Sequence, residues 1–139
     1  MEIDLNEFIP GTEYFKWKEV LWCNTWGVHV FPTPKQYSNL CYTVGKLHVI
    51  RGYLDRPMRI TSALRPKLYN KLIGGAANSM HMHGRAIDFV VKGMTADEVR
   101  ENLYHLLEAL EIRMENLPGS NWTHIDVRKP HNGNRYFKP

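Results

Sequence analysis

Apolar residues at Tyr37, Leu40, Cys41, Val44 and Leu47, with His48 beside them, recur at three- and four-residue intervals. That period predicts an amphipathic helix reaching about Gly52. Thr33-Pro34-Lys35-Gln36 supplies its start, with Thr33 as N-cap, Pro34 in the first turn and Gln36 closing a capping box. Arg56-Pro57 ends the pattern, and Met58 to Ser62 reads as a short strand. Pro66 to Ile73 reads as a short helix stopped by Gly74-Gly75. Arg85 to Val91 is a strand, apolar except at Asp88 once past its first residue. Thr95-Ala96-Asp97-Glu98 forms a second capping box, opening a helix whose inner face is Val99, Leu103, Leu106, Leu107 and Leu110. Glu111 to Glu115 and Trp122 to Arg128 are strand candidates joined through Pro118-Gly119, hence a hairpin. Residues 1–34, rich in aromatics, are expected to wrap the core as short helices and loops, and 129–139 to form a surface tail. The sum is one α+β domain over 1–139: a small antiparallel sheet with helices packed on one face.

Composition changes this picture little. At 139 residues, 43% hydrophobic and 23% charged, the chain is an ordinary globular domain with room for a core. No run approaches the roughly 20 apolar residues of a membrane span. Met1-Glu2-Ile3-Asp4 does not begin a secretory signal, so synthesis in the cytoplasm is expected. Cys23 and Cys41 are too few for a disulfide framework and have no close neighbour for a thiolate zinc knuckle. The net charge of +4 and pI near 9.1 favour polyanionic surroundings, such as nucleic acid, an anionic wall or an acidic membrane surface. The basic residues are scattered, however, as on a solvated surface. The chain is expected to act as a monomer.

Candidate chemistry concentrates in two segments, Ser79-Met80-His81-Met82-His83-Gly84-Arg85-Ala86-Ile87-Asp88 and Trp122-Thr123-His124-Ile125-Asp126. Side chains alternate along a strand, so Ala86, Asp88 and Val90 share one face, and Trp122, His124, Asp126 and Arg128 share another. A carboxylate inside an apolar strand is costly unless it is paired or metal-bound. Taken alone, Asp88 would pair with Arg65 or Arg128, and His124 would be a hydrogen-bonded core histidine. Neighbouring strands would instead bring Asp88 and His124 into one crevice, and Gly84 allows the turn that returns His81 over them. Two imidazoles, one carboxylate and an open position are a donor set that zinc accepts in hydrolases.

Ser79, His81, Gly84, Ala86 and Asp88 resemble the S-x-H-x-x-G-x-A-x-D signature of the zinc D-alanyl-D-alanine carboxypeptidase and L-alanyl-D-glutamate endopeptidase family. That family includes phage endolysins and shares its fold with the hedgehog signalling domain. Trp122 to Asp126 resembles its W-x-H-x-D strand, Ile60 to Arg65 its strand ending in S-x-x-R, and Asn70 with Gly74-Gly75 its N-x-x-x-G-G. The resemblance covers about residues 35–128. It implies zinc bound by His81, Asp88 and His124, a substrate carboxylate held by Arg65, and a hydrogen bond from Ser79 to the peptide. It further implies hydrolysis of peptide bonds in peptidoglycan stem peptides, with zinc polarising the scissile carbonyl and a carboxylate moving the proton. Release from the cytoplasm to the bacterial wall, or carriage in a virion, would follow. Neither a nucleic-acid nor a membrane partner is expected.

One position departs from the pattern. Many relatives carry a carboxylate three residues before the last histidine, where this chain has Asn121, and an amide cannot act as a base. Glu115 is the replacement candidate and Asp126 the second, with orientation of a histidine as the alternative role for Asp126. Two rival readings remain at this stage. One is a zinc-containing wall-binding or structural module without catalysis. The other is a metal-dependent nickase built on His81-Met82-His83 with Tyr104 as nucleophile. His83 itself reads as cleft-lining or exposed, and His29, His48, His105 and His131 join no constellation.

Overall fold

The computed structural model describes residues 2–139. The N-terminal segment contributes a short helix α1 (Trp17–Val20) and a two-stranded hairpin, β1 (Trp22–Cys23) with β2 (Val28–His29). The long helix α2 (Pro34–Leu54) follows, then β3 (Met58–Ser62) and α3 (Lys67–Leu72). A 3-10 turn at Met80–His83 leads into β4 (Ala86–Val91). Helices α4 (Ala96–Leu103) and α5 (Leu107–Leu110), joined by a 3-10 turn at Tyr104–Leu106, precede β5 (Arg113–Glu115), β6 (Thr123–Asp126) and β7 (Tyr136–Phe137).

Local chemistry explains the helices. In α2 the Gln36 N–H donates to Thr33 Oγ1 at 3.2 Å, and the Thr33 N–H donates to Gln36 Oε1 at 2.8 Å, completing the expected capping box. The helix runs two residues past the expected Gly52, because Asp55 takes a left-handed conformation (φ 51°) and returns its N–H to Arg51 O. Thr95 and Glu98 cap α4 in the same reciprocal way. The single helix expected beyond Thr95 is interrupted at Tyr104–Leu106, while Val99, Leu103 and Leu107 stay buried as expected.

The main sheet has the order β3-β4-β6-β5-β7. Its first three ladders are antiparallel, as expected, and β7 adds a parallel edge on β5. Alternation divides β4 between two faces. Ile87, Phe89 and Val91 join Leu40, Val44, Leu47 and Leu103 in the core, so α2 and α4 cover that face. Asp88 points to the other face, which forms an open cleft. The architecture is α+β with the helices packed on one side of the sheet, as the sequence implied.

Three features depart from the sequence reading. The aromatic N-terminal segment is only partly a wrap: Phe15 and Trp17 are buried, whereas Phe8, Tyr14, Trp22, Trp26 and Phe31 are exposed. It also contains the unexpected β1–β2 hairpin. Residues 129–139 are not merely a surface tail, because Tyr136–Phe137 pairs with the free edge of β5. The Met114 N–H donates to Arg135 O at 2.7 Å and the Asn116 N–H to Phe137 O at 2.6 Å, satisfying backbone groups that an open edge leaves unpaired. Finally, the β3–β4 register slips by one residue between Ile60 and Ser62. This bulge sets Ser62 opposite Asp88 and turns the chain so that Arg65 reaches the cleft.

Candidate metal centre

The β4–β6 register pairs Asp88 directly with His124, so both side chains leave the sheet on the cleft face. His81 joins them from the 3-10 turn, and helix α2 fixes that turn. Gln36 Nε2 donates to Met82 O at 3.0 Å, Asn39 Nδ2 to His83 O at 2.9 Å and Thr43 Oγ1 to Gly84 O at 3.0 Å. Gly84 closes the turn at φ 71°, and a β-carbon there would lie 2.9 Å from Gln36 O and 2.9 Å from Leu40 Cγ. Glycine is therefore required for both conformation and space. On the far rim, Asn70 lies beneath Gly75, where a β-carbon would come within 2.1 Å of Asn70 Oδ1. Asn70 Nδ2 also donates to Ala76 O at 2.9 Å, which anchors the loop running to Ser79.

One ligating atom from each of His81, Asp88 and His124 lies within 4.8 Å of the others. Asp88 Oδ1 is the point of convergence, 3.2 Å from His81 Nε2 and 2.7 Å from His124 Nδ1. The opposite ring nitrogens are committed elsewhere. His81 Nδ1 is 2.8 Å from Ala63 O, a carbonyl that can only accept, so Nδ1 carries the proton and Nε2 keeps its lone pair. His124 Nε2 is 2.9 Å from Asp126 Oδ2, which likewise leaves Nδ1 as the free nitrogen of the neutral ring. Arg113 grips Asp126 with two bonds, Nε to Oδ1 and Nη2 to Oδ2, each 2.8 Å. Histidines oriented through their far nitrogens by a carbonyl and a carboxylate are the arrangement that metal sites use.

The electrostatics point the same way. Burial disfavours the charged form of Asp88, yet His81 and His124 outweigh it and hold its carboxyl well below the ordinary range. Burial also opposes a charge on His124, but Asp126 and Asp88 prevail and raise its pKa to about 9. Asp126, despite burial, is pulled down to about 2 by His124 and Arg113. For His81 burial wins and the pKa falls, leaving the ring neutral. The cluster thus holds an ionised carboxylate, one neutral imidazole and one imidazole bearing a proton that a cation can replace. The donor set fits a metal ion.

Arg65, Ser79, Glu115 and Asp126 line the same cavity as His81, Asp88 and His124, of about 630 Å³. Arg65 donates from Nε to Ser62 Oγ at 3.0 Å and from Nη2 to Asp88 Oδ2 at 3.3 Å, so it pairs with a ligand as well as facing the cleft. Ser79 Oγ accepts the His81 N–H at 3.2 Å, capping the turn. The hairpin register, Arg113 opposite Asp126 and Met114 opposite Ile125, sets Glu115 on the cleft face with His124. Asp126 has both oxygens engaged by Arg113 and His124, which is the orienting role rather than that of a free base. Asn121 is exposed and lies outside the cavity lining. His83 is exposed and Tyr104 packs against Tyr136 beside another pocket, so neither meets the cluster that a nickase would need. Sequence reasoning missed Arg113 and Phe137. Arg113 was findable as the residue two before Glu115 on one strand. Phe137, whose ring centroid lies 3.8 Å from the Arg113 guanidinium carbon and 6.0 Å from the His124 ring, gave no signal.

The sequence pattern of the peptidase M15 family matches residues 13–126, reaching back into the aromatic segment that the motif resemblance left out. The zinc D-Ala-D-Ala carboxypeptidase of Streptomyces albus G is 32% identical over 76 residues, which is 53% of this chain and 30% of that protein. The match therefore spans under a third of the carboxypeptidase's length. Among crystal structures, Serratia marcescens L-Ala D-Glu endopeptidase ChiX aligns with a TM-score of 0.47 and 15% identity, over 71% of this chain and 90% of that one.

Proposed function

Because the chain belongs to the peptidase M15 family, we propose that it is a zinc peptidase cutting peptide bonds in the stem peptides of bacterial peptidoglycan. The observation that carries this reading is the convergence of His81, Asp88 and His124, with the far nitrogen of each histidine already bonded. Zinc held there supplies a Lewis acid for the scissile carbonyl and for the attacking water. The protein supplies the rest. Asp126, clamped by Arg113, keeps His124 in the tautomer and orientation that ligation needs. Glu115 takes the proton from water and returns it to the leaving amine; in support, it is a cleft-face carboxylate with no ion-pair partner among the described residues. Arg65 and Ser79 hold the peptide, Arg65 by a guanidinium fork suited to a carboxylate. The D-Ala-D-Ala and L-Ala D-Glu specificities in the names of the two similar proteins define the bonds to test first.

We further propose a lysin-type role at the bacterial wall, after release from the cytoplasm or from a particle. Its net charge of +4 favours an anionic wall. Purified peptidoglycan incubated with the zinc-loaded protein, with a chelated control and with His124→Ala should release fragments only in the first case. Their masses identify the bond cut. A folded, zinc-replete protein that binds peptidoglycan and releases nothing would favour the wall-binding module, with Asn121 marking the lost base.

A further inference from the structure

Three arginines line the cavity, and they are not equivalent. Arg65 is paired with Asp88, and Arg113 with Asp126. Arg128 has no carboxylate within ion-pair distance among the described residues. Its backbone N–H donates to Asp126 Oδ1 at 3.1 Å, but its guanidinium bonds only the Asn78 carbonyl, through Nη2. Its Nε is buried with no hydrogen-bond partner among the described residues. A guanidinium carries five N–H donors, and leaving a buried one unsatisfied beside an uncompensated charge is costly. What Arg128 lacks is an anion.

Position says which anion. Arg65 follows β3 and Arg128 follows β6, the two neighbours of β4 in the sheet. Two inter-strand spacings separate those strands by about 10 Å. An extended peptide covers that distance in about three residues. A chain crossing the start of β4 therefore meets one guanidinium on the β3 side and one on the β6 side. We propose that Arg128 is a second carboxylate-binding group of this cleft, so that the site reads two acidic groups on one peptide, one through Arg65 and one through Arg128. The inference rests on the peptidase reading and deepens it: the preferred stem peptide carries a free carboxylate at each of two positions, and amidation of the one held by Arg128 weakens binding.

The test uses a synthetic stem pentapeptide that contains an L-Ala–D-Glu bond and ends in D-Ala-D-Ala. It is made with every carboxyl free and with each in turn as the carboxamide. Zinc-loaded wild type, Arg128→Gln and Arg128→Lys are compared by kcat and KM. Binding of the cleaved products is measured by calorimetry, a readout independent of turnover. For one carboxyl, amidation should raise the wild-type KM and product Kd roughly ten- to hundredfold, the loss expected of a charge-assisted contact. Arg128→Gln should show that loss with the free peptide, no further loss on amidation, and a kcat close to wild type. Arg128→Lys, which keeps the charge and a donor, should fall between. An Arg128→Gln protein with normal zinc content and melting temperature that still discriminates as wild type does overturns the proposal while leaving the peptidase reading intact. A zinc-loaded wild type that neither binds nor cuts any of the peptides overturns both.

Discussion

Substituting alanine at Gly84 tests how the fold holds the metal centre. At φ 71° an L-residue is in the left-handed region, which costs about 1–2 kcal/mol. The new β-carbon would also lie 2.9 Å from Gln36 O and 2.9 Å from Leu40 Cγ, both part of α2 and neither able to swing away. Such overpacking costs about 1–3 kcal/mol. The sum is about 2–5 kcal/mol, a large share of a typical domain's 5–15 kcal/mol. Relief requires the turn to lift from α2, breaking the Thr43 bond to Gly84 O and loosening those of Gln36 and Asn39 to Met82 O and His83 O. His81 moves with that turn, so zinc affinity must fall together with stability. Gly119→Ala is the control: its φ is 81°, yet no atom of the described residues beyond its chain neighbours lies within 4 Å of the added carbon. Urea unfolding of the chelated proteins, followed by fluorescence of the four tryptophans, gives the stabilities, and competition with a chelating dye gives the zinc affinities. Gly84→Ala should lose about 2–5 kcal/mol and bind zinc more weakly. Gly119→Ala should lose about 1–2 kcal/mol and bind zinc normally. Equal losses in the two variants, or wild-type zinc affinity in Gly84→Ala, would refute the reasoning.

Other expectations follow from the same geometry. Glu115→Gln should keep full zinc content while kcat falls about 10²–10⁴-fold, measured on whichever stem peptide the wild type cuts. Asp126→Asn removes the charge that holds His124 and strands Arg113, so zinc affinity should drop about 10- to 100-fold by competitive titration. In the metal-free protein His124 keeps its proton up to about pH 9, and zinc must displace it. Affinity should therefore fall as the pH is lowered below 9 and level off above it, which zinc titrations across that range would show.

Much of this site was legible in the chain because its signals are local. Thr33 with Gln36 and Thr95 with Glu98 announce helix starts through bonds made within four residues. Strict alternation put Asp88 and His124 on matching faces, and the β4–β6 register then made them partners. What stayed hidden depends on distant contacts. The slip in β3 at Ile60–Ser62 has no compositional mark, yet it decides where Arg65 points. Two residues, Tyr136 and Phe137, are too few to show a period, and only the open edge of β5 makes them a strand. Nothing in the polar residues of α2 marks a distant partner, yet Gln36, Asn39 and Thr43 hold the His81 turn across more than 40 residues of sequence. Glu115 stood one register step from ambiguity, and the pairing of Met114 with Ile125 resolves it towards the cleft.

X-ray absorption at the zinc edge of the singly loaded protein tests the central claim most directly. The account predicts one zinc per chain, a light-atom nitrogen and oxygen shell with the multiple-scattering signature of two imidazoles, and loss of one imidazole contribution in His124→Ala. A sulfur shell, which would bring in Cys23 or Cys41, or a spectrum unchanged by His124→Ala, would contradict it.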